Sequence, residues 1–236
     1  MQTMRETNSG SKGQVQRAGE FFKKLSPSAL QDLESMEFPT MYQPGVLLFS
    51  EKSTPTALFV VLSGEVKLSI NSSDGKRLIL SIARAGEILG LSAALSGLPS
   101  EMTAEVLYPA KIAVIERSQF LNFLSHHPEV YQTVTEELSR QYKVACEQLR
   151  TVGLSSSAPE KLARLLLDWS ENGQKTDCGT RFRFSLTHEE IGEFIGASRE
   201  TVTRTLSIFK NRQLVAFHGS TLTIPSRMAL ENLAGN

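Results

Sequence analysis

The stretch Leu186-Thr-His-Glu-Glu-Ile-Gly-Glu-Phe-Ile-Gly-Ala-Ser-Arg-Glu-Thr-Val-Thr-Arg-Thr-Leu206 leaves this chain the least conformational freedom. Thr187 followed three residues later by Glu190 makes a capping box, which fixes where a helix starts. Ile191 and Ile195 give that helix an apolar face, and Gly192 removes a side chain where a second helix crosses closely. Gly196 suits a left-handed turn that only glycine adopts without strain. Ser198 caps a second helix, whose buried stripe is Val202, Leu206 and Phe209. Two helices joined by about three residues have the geometry of a helix-turn-helix.

The first turns of the second helix hold Arg199, Glu200, Thr203 and Arg204 opposite its stripe. Recognition helices present such positions to base edges in the major groove. Arg bonds bidentately to guanine, and Glu accepts from cytosine N4. Ser198 and Thr201, at the helix N-terminus, suit phosphate contacts; Thr187 and His188, where the first helix starts, complete the candidate DNA-binding set. Over 198–212 the cations are Arg199, Arg204, Lys210 and Arg212 and the acid is Glu200, a local net of +3. The whole chain has 25 Lys+Arg against 25 Asp+Glu. A uniformly basic coat is therefore excluded, and contact with nucleic acid must be local. Glu189, Glu190 and Glu193, on the first helix, then have to face away from DNA. Short strands at 215–217 and 221–224, joined at Gly219-Ser220, supply the hairpin of a winged helix. His218 at its tip either donates to a phosphate or is a solvated turn residue. The competing reading of the segment is an αα-hairpin whose Arg and Glu form ordinary ion pairs.

The first half has a different texture. Residues 1–17 are polar, with little to bury, and read as a mobile tail. Ser26-Pro27-Ser28 starts a short helix. Strands are predicted at 46–49, 57–62, 65–71, 77–83, 103–107 and 111–116, with Val66, Leu68 and Ile70 alternating against Lys67 and Ser69 as one buried face. Asp74-Gly75 marks a hairpin. Many short strands without helices between them point to an antiparallel barrel or jelly roll, so the fold class is α+β. Across 118–152 the period becomes helical. Val130, Val134, Leu138, Tyr142, Ala145, Leu149 and Val152 recur at steps of 4 and 3, a stripe able to form a two-stranded seam or to pack on the barrel. Residues 153–159 break this helix and read as a hinge. A helix over 160–170, a polar loop over 172–180 and a strand over 181–185 follow.

Other chemistries find little support. Cys146 and Cys178 are too few for a disulfide framework or a four-thiolate zinc site. No apolar run reaches the 18 or so residues that span a bilayer, and the N-terminus has no secretory-type apolar stretch; a cytoplasmic location in a reducing compartment is the simplest expectation. A metal-dependent barrel enzyme would need barrel histidines, but His126, His127, His188 and His218 all lie outside 41–116. No phosphate loop or nucleophile motif appears, so neither an enzyme nor a metal site is expected.

Both halves together resemble the cyclic-AMP receptor protein/Fnr (Crp–Fnr) family of bacterial transcription regulators over about residues 20–225. The residues that carry the resemblance are Pro44-Gly45-Val-Leu-Leu-Phe49, Leu58-Phe-Val-Val-Leu-Ser-Gly64-Glu65-Val-Lys-Leu68, Gly86-Glu-Ile-Leu-Gly90 and Ile191 to Arg204. The resemblance implies a tail (1–17), a β-roll effector domain of the cyclic-nucleotide-binding kind (18–117), a dimerisation helix (118–153) and a winged helix-turn-helix DNA-binding domain (154–236). It implies a homodimer on double-stranded DNA, with half-sites about one turn apart and RNA polymerase as a further partner if the chain activates. Arg199, Glu200 and Arg204 match the family's base-reading positions and imply TGTGA-like half-sites rather than the Fnr-type TTGAT.

The effector departs from the family pattern. Cyclic-AMP-binding relatives place a Glu after the second glycine of the Gly-rich turn, an Arg-Ser pair further on and a Thr-Ser pair on the long helix. Here Leu91 follows Gly90, Met102-Thr103 replace Arg-Ser, and Ala145-Cys146 replace Thr-Ser. A phosphate buried without its Arg is prohibitively costly, so these six residues imply an effector other than cyclic AMP. A cyclic-nucleotide regulator with a divergent pocket is the alternative. Fnr-type iron–sulfur sensing lacks its N-terminal cysteines. Haem is a further candidate effector; His126-His127 beside Pro128 read first as solvated loop and second as haem ligands. Cys146 reads first as a small buried hydrophobe and second as a redox sensor.

Overall fold

The computed structural model describes residues 19–154, 157–171, 173–184 and 186–235; the tail at 1–17 and hinge residues 155–156 lie outside them. Two short helices open the chain. α1 (Glu20–Lys23) drops Phe21 and Phe22 into the core, and α2 (Pro27–Ser35) starts where the Ser26 hydroxyl accepts from the Ala29 amide at 3.2 Å.

The β-roll consists of β1 (Phe38–Tyr42), β2 (Leu47–Phe49), β3 (Ala57–Asn71), β4 (Arg77–Ala83), β5 (Ile88–Leu89) and β6 (Thr103–Glu116). All pairings are antiparallel, in the order β1-β6-β3-β4, with β2 also on β6 and β5 on β3. This is the expected antiparallel roll, with differences of detail. β3 and β6 each replace two predicted strands. Ser63-Gly64, between the predicted strands at 57–62 and 65–71, is a bulge in a continuous strand, with register shifts on both sides of it. Gly64 has φ 86°, and a Cβ there would lie 2.5 Å from the Ala110 Cα, so the bend requires glycine. β1 escapes sequence reading because it contains Pro39 and every residue but Tyr42 is exposed, an edge strand without alternation. A six-residue helix, α3 (Leu91–Ser96), also appears between Gly90 and Gly97, both left-handed.

The single helix expected over 118–152 is two: α4 (Arg117–His126) and α5 (Val130–Leu154). Pro128 has no amide hydrogen and bars its predecessor from helical backbone, so His127 sits at φ −124°, ψ 67°. At the far end α5 continues through Gly153 to Leu154, beyond the predicted break. The stripe divides along its length. Val130 and Val134 enter the β-roll core with Leu138 packed beside them, whereas Tyr142 and Leu149 are 73% and 63% exposed.

The C-terminal unit contains α6 (Ala158–Ser170), β7 (Gln174–Thr176), β8 (Gly179–Arg183), α7 (His188–Ile195), α8 (Arg199–Asn211), β9 (Ala216–His218), β10 (Thr221–Ile224) and α9 (Arg227–Ala234). The predicted loop at 172–180 instead holds a hairpin, β7 on β8, within a sheet ordered β7-β8-β10-β9. All of β7 is exposed, so no period marked it. The core of this unit joins Leu162, Leu166, Ile191, Ile195, Val202, Phe209, Leu222 and Leu230. Ile79 and Ile82 of β4 belong to the same cluster, so the two units share a packed seam. There the Gln148 amide donates to Ile79 O at 2.8 Å and Phe194 O at 2.7 Å. Among the described residues no helix is long and apolar enough to cross a membrane.

Candidate nucleic-acid interface and effector cavity

The helix-turn-helix is built from its local signals. The Thr187 amide and hydroxyl donate to Glu190 Oε2 at 2.9 and 3.0 Å, and the Glu190 amide returns a bond to the Thr187 hydroxyl at 3.1 Å. α7 ends at Gly196 (φ 65°). A Cβ on Gly192 would lie 2.5 Å from Ala197 O, which is why the turn closes here only over glycine. Three residues later α8 begins, with the Thr201 amide donating to Ser198 Oγ at 3.2 Å. Val202, Leu206 and Phe209 are buried against the core.

That packing leaves Arg199, Glu200, Thr203 and Arg204 exposed along one side of α8. Among the described residues no carboxylate lies within ion-pair distance of Arg199 or Arg204. Glu200 is held below the ordinary carboxylate range by its own backbone amide at the helix start, then by Ser198. His188 Nδ1 lies 2.8 Å from the Thr203 hydroxyl, which also donates to Arg199 O at 2.9 Å. His188 and Thr203 therefore tie α7 to α8. The exposed His218 closes β9 at the tip of the β9–β10 hairpin, beside Gly219.

The acids of α7 had to point elsewhere, and two of them do. Glu190 Oε1 accepts from Lys67 Nζ on β3 at 3.2 Å, and the same ammonium is 3.4 Å from Glu105. Burial opposes ionisation of Glu190, but the Thr187 amide and Lys67 outweigh it and hold the carboxyl below its usual range. Glu193 is pushed up by burial, with Arg77 and Lys67 offsetting part. Lys67 is only 4% exposed, which corrects the expected one-sided alternation of β3. Lys67 and Ser69 are buried, while Leu68 and Ile70 are half-buried. The α7 helix docks over the side that read as solvent-facing, a long-range contact that alternation along a single strand cannot report.

On the other side of the roll, β4, the turn before β5, the start of α3 and the middle of α5 enclose a cavity of about 270 Å³. Gly90, Leu91, Met102 and Ala145 line it; Thr103 and Cys146 do not. The Thr103 hydroxyl instead accepts from the Glu51 amide at 3.0 Å, and Cys146, one turn from Tyr142, holds that phenol above its ordinary range. Sequence spacing missed Glu87, Arg140 and Gln141, polar lining residues that come together only in the fold. The lining offers a haem no imidazole or thiolate, only the Met102 thioether, so it does not fit that group. His127 lies elsewhere, with Asp32 2.8 Å from one ring nitrogen and Glu129 3.2 Å from the other, and His126 Nδ1 is 2.9 Å from Asn122 O. Among the described residues no group of three or more His, Cys, Asp or Glu could hold a metal ion.

Residues 160–233 match the family model for the Crp-like helix-turn-helix domain, and residues 39–127 match that for the cyclic nucleotide-binding domain. The CRP-like cAMP-activated global transcriptional regulator of Mycobacterium tuberculosis is 25% identical over 209 residues, 88% of this chain and 92% of that protein. Among solved structures, FixK2 from Bradyrhizobium japonicum superposes with a TM-score of 0.74 at 21% identity, covering 84% of this chain and 96% of that one. The c-di-GMP responsive global regulator CLP of Xanthomonas campestris gives 0.72 at 18%, covering 85% and 100%. At these identities the structural likenesses speak for the fold alone.

Proposed function

We propose, for a chain that belongs to the Crp–Fnr family of transcription regulators, a homodimer that reads a palindromic, TGTGA-like operator through α8 under control of an effector held in the β-roll. The observation that carries this reading is the contrast within one motif. The guanidinium groups of Arg199 and Arg204 stand exposed, with no carboxylate in ion-pair distance among the described residues, while Glu190 is tied to Lys67 behind them. Arg199, Glu200 and Arg204 read base edges. Ser198, Thr201 and His218 take phosphates, Thr187, whose amide and hydroxyl both donate to Glu190, fixes the start of α7, and His188 and Thr203 set the angle between α7 and α8. The relatives are regulators rather than enzymes, and catalysis forms no part of this reading.

Dimerisation runs along α5. Tyr142, Cys146 and Leu149 follow one another at steps of 4 and 3 on its second half, and two of the three are largely exposed in the single chain. That spacing suits a two-stranded seam. Leu149→Glu is expected to yield monomers in sedimentation. The effector is not cyclic AMP, although relatives are named as cAMP-activated, because among the described residues no uncommitted cation lines the cavity. The test is a binding titration of the full chain on a duplex with two inverted TGTGA half-sites about one turn apart, against the scrambled duplex. Arg204→Ala should erase most of the preference, at about 1–3 kcal/mol per lost base contact. An unchanged preference in Arg204→Ala overturns the assignment.

A further inference from the structure

Among the described residues the cavity against α5 has one cation on its wall, and that cation is already committed. Arg140 donates from Nε and Nη2 to the two oxygens of Glu137 at 2.9 and 2.6 Å, and Nη2 lies 3.7 Å from Glu87. Glu137 is only 7% exposed, so parting the pair would strand a buried carboxylate. Glu101, on the opposite rim, accepts from Ser92 at 2.7 Å and brings no cation. The lining thus sets one guanidinium, already paired with Glu137 behind it, against two carboxylates, Glu87 and Glu101. The Gln141 amide is committed too, donating to Ile88 O at 3.1 Å and Glu137 at 2.8 Å. Burial holds Glu87 above the ordinary carboxylate range, and Arg140 offsets only part of that.

The remaining surface is mainly apolar, with Leu68, Ile82, Leu91, Met102, Val144 and Ala145 among its lining and Ser81, Ser92 and Ser100 between them. An anion entering here loses its water and meets carboxylates. A neutral apolar molecule gains burial and needs only one partner for a polar group. An engineered apolar cavity of about 150 Å³ holds a benzene ring. A cavity of about 270 Å³ therefore suits roughly ten to twelve non-hydrogen atoms, the size of a fused two-ring system.

We infer that the effector is a neutral, mainly apolar molecule of this size carrying one hydroxyl or N–H donor for Glu87, and that the cavity discriminates against anions, cyclic nucleotides included. This assignment rests on the proposed effector control, but it is tested on the free chain without DNA, so a failure at the operator and a failure at the cavity appear in separate measurements. The probes are 1-naphthol and 1-naphthoate, nearly the same shape with and without a negative charge at pH 7, titrated calorimetrically into the full chain together with cyclic AMP. Saturable naphthol binding at one per chain is expected, with naphthoate and cyclic AMP at least about tenfold weaker. Ala145→Trp fills the cavity from α5 and should abolish naphthol binding. Glu87→Gln keeps the shape, removes one charge and should narrow the naphthol–naphthoate gap to within about threefold; it carries the test if the tryptophan variant does not fold. Absence of saturable naphthol binding, an anion bound as tightly as naphthol, undiminished binding in folded Ala145→Trp, or an unchanged gap in Glu87→Gln overturns the inference.

Discussion

The outer face of α8 and the inner face of α5 each set arginine beside glutamate, yet they are opposite electrostatic devices. On α5 the Arg140 fork closes on both oxygens of Glu137, and Glu87 stands next to it. On α8 the guanidinium groups of Arg199 and Arg204 extend into solvent, and Glu190 and Glu193 of the preceding helix are turned onto the β-roll. Charge counts along the sequence would treat both helices alike. What separates them is whether a cation's partner lies within its own fold, which decides whether a surface attracts phosphate or repels it.

The contrast depends most on Lys67, the buried ammonium that draws Glu190 away from the recognition face. Lys67→Met leaves Glu105 and Glu190 facing each other without it. Because Arg77 also reaches Glu105 at 3.3 Å, the expected loss is about 2–4 kcal/mol rather than the full cost of a broken buried pair. In calorimetry the melting temperature should fall by about 5–12 °C, given a sensitivity of roughly 2–4 °C per kcal/mol at this size. A fall below about 2 °C would mean that the acids are not held there in solution. Next in size, Arg199→Ala should reduce the preference for the operator over scrambled duplex by roughly 5- to 150-fold, a cost of about 1–3 kcal/mol. His218→Ala should instead weaken operator and scrambled duplex equally, by a few-fold, and lower the salt slope by about one per protomer. A sequence-dependent loss in His218→Ala would blur the division between reading and anchoring.

The smallest effect lies at the seam between the units. The Asp168 carboxyl is pushed up to about 6 by burial, with Glu171 and Glu147 adding repulsion. The folded chain then binds this proton more tightly than the unfolded chain, whose carboxyl titrates near 3.8. The contribution to stability is therefore complete below about pH 4 and lost as the pH rises through 6. Since the side chain keeps substantial solvent exposure, screening limits the effect to about 0.5 kcal/mol. Asp168→Asn should raise the melting temperature by about 1–2 °C at pH 8 and leave it unchanged at pH 4.

The recognition motif could be read from the sequence because its signals are local. A capping box, a left-handed glycine and an N-cap serine all lie within a dozen residues, and each constrains its own neighbours. Elements without periodicity stayed hidden, the exposed edge strand β1 and the fully exposed β7; α9, only eight residues long, was missed although Leu230 and Ala234 are buried at helical spacing. Pro128 was visible, but a stripe continuing from 130 obscured the break it imposes. Relations across the fold were the least legible. Lys67 read as a solvent-facing strand residue until α7 docked over it. Thr103 and Cys146 lie next in sequence to cavity-lining Met102 and Ala145, yet both turn elsewhere. Spacing assigns a residue to an element, and only packing decides which neighbour that residue meets.

The most direct test of the whole account is a competition experiment. Full chain purified from its own host is bound to the inverted TGTGA duplex at about 0.15 M salt, and random-sequence duplex is titrated in as competitor. The account predicts a preference of about a thousandfold or more, collapsing in the Arg199→Ala, Arg204→Ala double variant. Equal affinity of the unaltered chain for operator and random duplex would contradict it.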